Sequence, residues 1–212
     1  MEIIAKENGG GSFTRTLPPE DNHAARCYSI IHTGTRIDPN FKTTKNQVRI
    51  GFELVDPDMR HVFKEGESPK PFVLSKTYNL SLNEKATLRK DLESWRGKSF
   101  TEKELAGFDI SKLLNQPCFI QVVHRTSEGN GNTYANIVSI TKPPKGFTVP
   151  DLYNDTTIFS VDKFNQEMFD SFPEFIQEEI KASDEYKAMM AKGGSKVASA
   201  APQQEEEDNL PF

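Results

Sequence analysis

The residues with the clearest chemical potential are an aromatic side chain and its cationic neighbours. Phe41 lies beside Lys42 and Lys45, and Arg36 and Arg49 lie at the two ends of the same stretch. Proteins that bind single-stranded nucleic acid without sequence preference need cations along the phosphates and aromatic faces on which bases stack. The pattern therefore predicts a binding loop for an unpaired strand. The alternative is that Phe41 folds back as a hydrophobic plug over the core.

Two further pairs extend this candidate site. Lys76 shares its parity with Leu74 and Tyr78 in a stretch of strand character, so a strict core assignment would bury a charge. We expect instead that this part of the strand faces a groove, with Lys76 and Tyr78 on the ligand side. Arg125 and Tyr134 flank a Gly/Asn-rich connection and are weaker candidates for the same surface.

Motifs for catalysis and metal binding are missing from the sequence. It contains no phosphate-binding loop, no His-Glu-x-x-His and no Cys-x-x-Cys, and its four histidines are scattered. We therefore expect a protein that is not an enzyme and that uses no metal or cofactor. We expect Cys27 and Cys118 to be small buried hydrophobic residues rather than part of a disulfide framework. With no apolar span and no secretory start, we expect a cytoplasmic protein without a membrane partner.

The charge is unevenly distributed along the chain, whose net charge is −5. Residues 1–150 carry 21 Lys and Arg against 17 Asp and Glu, a net charge of +4. Residues 151–212 carry 5 against 14, a net charge of −9. A mildly basic body with an acidic C-terminal part indicates a nucleic-acid partner, although acidic tails also serve solubility alone.

The elements that must position these residues are mainly strands. Val48, Ile50, Phe52 and Leu54 alternate with polar residues or glycine, as in a half-buried strand. Helical spacing replaces the alternation at 83–97, where Trp95 is expected in the core. The order of three strands, a helical segment and two strands is that of an OB-fold, a five-stranded barrel. The predicted strands cover residues 25–34, 48–54, 72–82, 118–126 and 133–142.

The domain organisation follows from these elements and from composition. We expect a flexible leader over residues 1–22 and an OB-type nucleic-acid-binding domain over residues 23–149. Residues 150–191 predict a helical extension, with one helix over about 172–191. The Gly/Ser/Ala-rich segment that follows and the acidic end make 192–212 a disordered linker and partner-binding tip. The fold class expected is mainly β with helical additions.

The C-terminal end combines an acidic run with an apolar tip. A hydrophobic pocket beside a basic residue could capture the last ring together with the terminal carboxylate. This end resembles the tail of bacterial single-stranded-DNA-binding proteins, with Asn209 and Leu210 in place of the usual Asp and Ile. The resemblance implies binding of replication or recombination enzymes through Glu205, Glu206, Glu207, Asp208, Asn209, Leu210, Pro211 and Phe212.

Segments of the body resemble a family of phage and prophage single-stranded-DNA-binding proteins. The resemblance implies a non-enzymatic protein of DNA replication, recombination and repair that protects exposed strands in a bacterial or phage-infected cell. A phage recombination nuclease and a protein-interaction adaptor on an OB scaffold remain as alternatives. The segments that carry the resemblance are Gly34–Arg36, Val48–Leu54, Ser75–Leu82, Leu88–Gly97 and Tyr134–Ile137.

Removal of Glu205–Phe212 tests whether the acidic end competes with nucleic acid for the basic body. We expect the truncated chain to bind oligo-dT more tightly than the full chain at low salt, because a tethered anion is lost. The difference should shrink as added salt screens the charges. Fluorescence anisotropy at two salt concentrations measures it, and equal affinities at low salt would contradict the competition.

Overall fold

The computed structural model describes residues 16–38 and 42–193. Two of the predicted binding regions, Phe41 and the tip Glu205–Phe212, lie outside the described residues. The strands are β1 Asp21–Ile37, β2 Thr44–Leu54, β3 Val73–Asn79, β4 Pro117–Thr126, β5 Thr133–Thr141 and β6 Thr157–Ser160. The helices are α1 Thr87–Arg96, α2 Glu102–Ala106, α3 Gln166–Ser171, α4 Glu174–Lys181 and α5 Asp184–Ala191.

The six strands form one mainly antiparallel sheet. Its order is β3-β2-β1-β4-β5, and β6 adds to β1 in parallel. The long β1 pairs with β4 through its first part and with β2 through the remainder. The sequence predicts a five-stranded barrel, whereas in the described part of the chain no ladder joins β3 to β5 and the sheet is not closed. The sixth strand escaped prediction because its four residues are too short to show alternation.

One face of the sheet packs against α1 to form the main core. The alternating residues Val48, Ile50, Phe52 and Leu54 are buried there, as the sequence predicts. Trp95 of α1 is buried as expected. Its ring centroid lies 5.4 Å from that of Phe52, and its indole Nε1 donates a hydrogen bond to the Pro117 carbonyl at 2.8 Å. This core fixes β2 and therefore the residues on its opposite face.

The two cysteines behave as small core residues. Cys27 of β1 and Cys118 of β4 are buried in the main core and both are free thiols, which confirms the prediction. Burial raises the pKa of Cys27 to about 12, so this thiol stays protonated at neutral pH.

The C-terminal extension packs on the other side of β1 around a second apolar cluster. The prediction of a single helix over 172–191 is wrong, because α4 ends at Lys181 and a separate helix, α5, begins at Asp184. Ser183 is the N-cap of α5, where its hydroxyl accepts a hydrogen bond from the Tyr186 amide at 3.2 Å. The buried residues of the second cluster are Ile31, Phe159, Val161, Phe169, Phe172, Ile176 and Ile180.

Two polar anchors hold the segment that leads into this extension. The buried carboxylate of Glu53 on β2 accepts hydrogen bonds from the Tyr153 amide at 2.7 Å, the Asn154 amide at 3.0 Å and the Asn154 side chain at 2.6 Å. Its neighbour across the β1–β2 ladder, Arg26, donates to the carbonyls of Pro150 at 2.7 Å and Val149 at 3.0 Å. Residues 149–154 are thus fastened to the outer face of the sheet.

Glu53→Gln tests the first anchor. The neutral amide offers only one good acceptor to three donors and turns an N–H group towards them, so we expect a loss of about 2–3 kcal/mol in the free energy of unfolding. Urea denaturation measures it, with the exposed Glu65→Gln as the control that should change stability by less than about 0.5 kcal/mol. Equal stability of the two variants would show that the anchor contributes nothing.

Candidate nucleic-acid interface

The predicted ligand-side position of Lys76 and Tyr78 is wrong. Both side chains point towards α1, where the Asp91 carboxylate accepts hydrogen bonds from Lys76 Nζ at 2.7 Å and from the Tyr78 hydroxyl at 2.8 Å. Tyr78 is only 3% exposed, and burial together with Asp91 raises the pKa of its phenol. Lys76 does lie on the inner side with Leu74, the assignment that the sequence analysis set aside, because a carboxylate from the helix neutralises its charge there.

The cations around the β1–β2 connection form a separate group. Lys42 is exposed, and Lys45 forms an ion pair with Asp38. Arg36 donates hydrogen bonds to the Gln47 side chain and, at 3.3 Å, to the Glu179 carbonyl. A polar cavity of about 510 Å³ next to α5 is lined by both Arg36 and Lys45. Lys76 and Tyr78, on the inner side, are thus separated from Arg36, Lys45 and Arg49, and the prediction that they extend the same binding surface is wrong.

The outer face of the sheet brings together two of the predicted residues, Arg49 and Tyr134. Both line a cavity of about 1170 Å³ between the sheet and α3–α4. Tyr134 also lines a second cavity of about 630 Å³, and the two cavities share Val73, Leu74 and Ala135 as well. We call the two joined cavities the sheet-face groove. Arg125 pairs with Tyr134 in the β4–β5 ladder and is exposed beside it.

Tyr28 supplies an aromatic surface on the floor of this groove. A bulge between Cys27 and Ser29 places it as an extra residue of β1, and its ring lines the larger cavity. Gly51 of β2 leaves the room that the ring needs. A Cβ at residue 51 would lie 2.9 Å from Tyr28 Cε1 and 2.1 Å from Ser29 Oγ. Burial raises the pKa of the Tyr28 phenol, which keeps the ring neutral.

Aromatic rings also stand along the walls of the groove. Phe175 of α4 is 53% exposed and lines the larger cavity, while Phe63, 49% exposed, lines the smaller one. Tyr134, where the cavities meet, is 37% exposed and accepts a hydrogen bond from the Asn130 side chain at 2.9 Å. Large apolar side chains are costly to leave in water, so several exposed rings along one groove indicate a ligand surface. Flat rings of this kind suit the faces of unpaired bases.

Three of these rings, Tyr28, Phe63 and Phe175, were missed by the sequence reasoning. Phe63 lies in a stretch without periodicity, and the packing of Phe175 against the sheet involves residues far apart in the chain. A signal for Tyr28 does exist, because Gly51 interrupts β2 opposite the β1 bulge. A glycine inside a strand marks a site of close approach.

Comparisons with known proteins give no further assignment of the interface. Neither a protein-family model nor a curated protein matches the chain. Within residues 16–38 and 42–193, no group of three or more His, Cys, Asp or Glu side chains is arranged to hold a metal ion. In the same residues, no helix combines the length and apolar character needed to cross a membrane.

Gly51→Ala tests the close approach beneath Tyr28. The added methyl collides with Ser29 Oγ and the Tyr28 ring, so we expect a loss of about 1–3 kcal/mol in the free energy of unfolding. The double variant Gly51→Ala/Ser29→Ala should recover part of this loss, because the nearest colliding atom is gone. Urea denaturation of both variants and of Ser29→Ala measures the coupling. A Gly51→Ala protein as stable as the parent would contradict the tight fit.

Proposed function

We propose that this chain is a non-enzymatic, sequence-nonspecific single-stranded-DNA-binding protein whose strand lies in the sheet-face groove. The observation that carries the proposal is the Tyr28 ring seated over Gly51, with Arg49 and Tyr134 lining the same cavity. Stacking on an aromatic face contributes about 1–3 kcal/mol per base and accepts any base. The adjacent guanidinium offers a partner for a phosphate.

The fold we propose for the sheet is an open OB-type barrel. In support, the strand order β3-β2-β1-β4-β5 has α1 and α2 between β3 and β4, and β3 and β5 contact each other without a ladder. OB-folds bind oligonucleotides on the face of their second and third strands. Arg49 of β2 and Val73 and Ser75 of β3 line the groove from that face.

The groove favours stacking over purely electrostatic binding. Its lining is rich in rings and apolar side chains, with Arg49 and Lys70 as cations and Glu167 as an anion. A site of this kind holds bases against its surface and leaves much of the phosphate backbone towards water. We therefore expect a smaller salt dependence than for a protein that neutralises many phosphates.

A role in replication or recombination is proposed from the sequence resemblance. The acidic tip Glu205–Phe212 would bind partner enzymes while the sheet-face groove holds the exposed strand. The location that we propose on the same basis is the cytoplasm of a bacterial or phage-infected cell.

Tyr28→Ala tests the site. We expect affinity for oligo-dT to fall roughly five- to hundredfold, since one stacked base is lost, while Tyr28→Phe retains the ring and most of the affinity. Fluorescence anisotropy measures both, with circular dichroism to verify the fold. Phe147→Ala is the matched control, because this exposed ring packs on Phe119 and lines neither cavity of the groove.

The same titrations separate the proposed function from its alternatives. The parent should retain oligo-dT in preference to duplex of equal length, and labelled strand should stay intact with Mg²⁺. Failure to retain the oligonucleotide would favour the adaptor, and its cleavage would favour the nuclease. Equal binding by Tyr28→Ala and the parent would contradict the groove as the site.

A further inference from the structure

In the free protein Arg49 contacts a carboxylate and an aromatic ring, which resemble the phosphate and the base of a nucleotide. Its Nη2 donates a hydrogen bond to Glu179 Oε1 at 3.0 Å, and its guanidinium carbon lies 5.2 Å from the centroid of the Phe175 ring. Its Nη1 donates a hydrogen bond to the Ser75 hydroxyl at 2.7 Å. An anionic oxygen and a π face are also what a phosphate and a base present to an arginine. Helix α4 thus supplies a carboxylate and a ring where a nucleotide would bring a phosphate and a base.

The Glu179 carboxylate satisfies only part of the hydrogen-bonding capacity of Arg49. Arg49 Nε and Glu179 Oε2 are both buried, and neither has a hydrogen-bond partner in the described part of the chain. A guanidinium binds anions best as a fork, with two parallel N–H groups on two oxygens. Glu179 uses one oxygen only, so one donor and one acceptor are left unpaired. A phosphate, with its several oxygens, can accept hydrogen bonds from Nη2 and Nε together.

The backbone of α4 is held independently of this contact. Ile176 and Ile180 of α4 and Phe172 just before it are buried in the second apolar cluster. Releasing the whole helix would expose these side chains to water, which is more costly than exchanging the carboxylate of one partly buried ion pair for another anion. Exchange at Arg49 can therefore take place through side-chain rotation while the helix stays packed.

We propose that Arg49, Ser75 and Phe175 form a nucleotide subsite whose phosphate position is filled by Glu179 in the free protein. This inference rests on the proposed function, because the ligand is the single strand in the sheet-face groove. A phosphate of the strand displaces the Glu179 carboxylate from Arg49, and Phe175 then serves as a face for the adjoining base. Because the ion pair between Arg49 and Glu179 must be broken for the phosphate to bind, this ion pair lowers the affinity of the protein for DNA.

Glu179→Gln tests the proposal directly, with Glu178→Gln as the matched control. The two substitutions remove the same charge from adjacent positions of one helix, but Glu178 is exposed while Glu179 forms the ion pair with Arg49. We expect Glu179→Gln to bind oligo-dT about three- to tenfold more tightly than Glu178→Gln at low salt. The gap should narrow at high salt, and it should vanish when Arg49→Gln is added to both variants.

The possible results separate this inference from the function on which it rests. If the parent and both variants fail to bind oligo-dT, the proposed function is wrong and the subsite falls with it. If the parent binds and the two glutamine variants have equal affinity, only the subsite is wrong. A purely structural role for Glu179 would show as a lower melting temperature of Glu179→Gln with no gain in affinity, and this result too would overturn the proposal.

Discussion

The alternation of side chains along β2 places Arg49, Gly51 and Glu53 in one row on the outer face of the sheet. The opposite row is fixed in the main core, so this one cannot turn inward. The three residues of this row differ in how they interact with the chain segments that lie over this face. Glu53 binds residues 153 and 154 through three hydrogen bonds, and Arg49 binds α4 through one ion pair and one ring. Gly51, between them, has no side chain and leaves the space in which Tyr28 lies.

This row explains why the C-terminal extension leaves part of the sheet open. The segment before β6 is fastened at the Glu53 end, and α4 reaches over the Arg49 end. Between these attachments the floor is formed by Tyr28 and the adjoining strands, and it opens into a cavity of about 1170 Å³. Exposed rings on the extension and on the sheet then face the same space. The acidic C-terminal part of the chain thus contributes a wall of the groove as well as the anion that contacts its arginine.

The sequence was most informative where one strand face is buried. Alternation located the last hairpin closely and found β2 from Val48 onwards, although it missed the first four residues of that strand, and helical spacing placed Trp95 in the core. It was least informative where distant residues meet. The alternation with Leu74 and Tyr78 does put Lys76 on the inner side of the sheet. Its partner Asp91 belongs to α1, so the local pattern could not show that the charge is neutralised there. Arg49 and Tyr134, two of the predicted residues, do line the groove, whereas the position of Phe175 depends on how the extension folds back. Gly51 was the available clue to Tyr28.

The proposed function depends on bases stacking on the outer face of the sheet beside Gly51. Photochemical cross-linking of the full chain to an oligo-dT with a halogenated base, followed by mass spectrometry of the peptides, tests it most directly. We expect cross-links to the peptide with Tyr28 and to the peptide with Phe175. Cross-links confined to the surface formed by α1, or to the exposed Phe147 ring outside the groove, would contradict it.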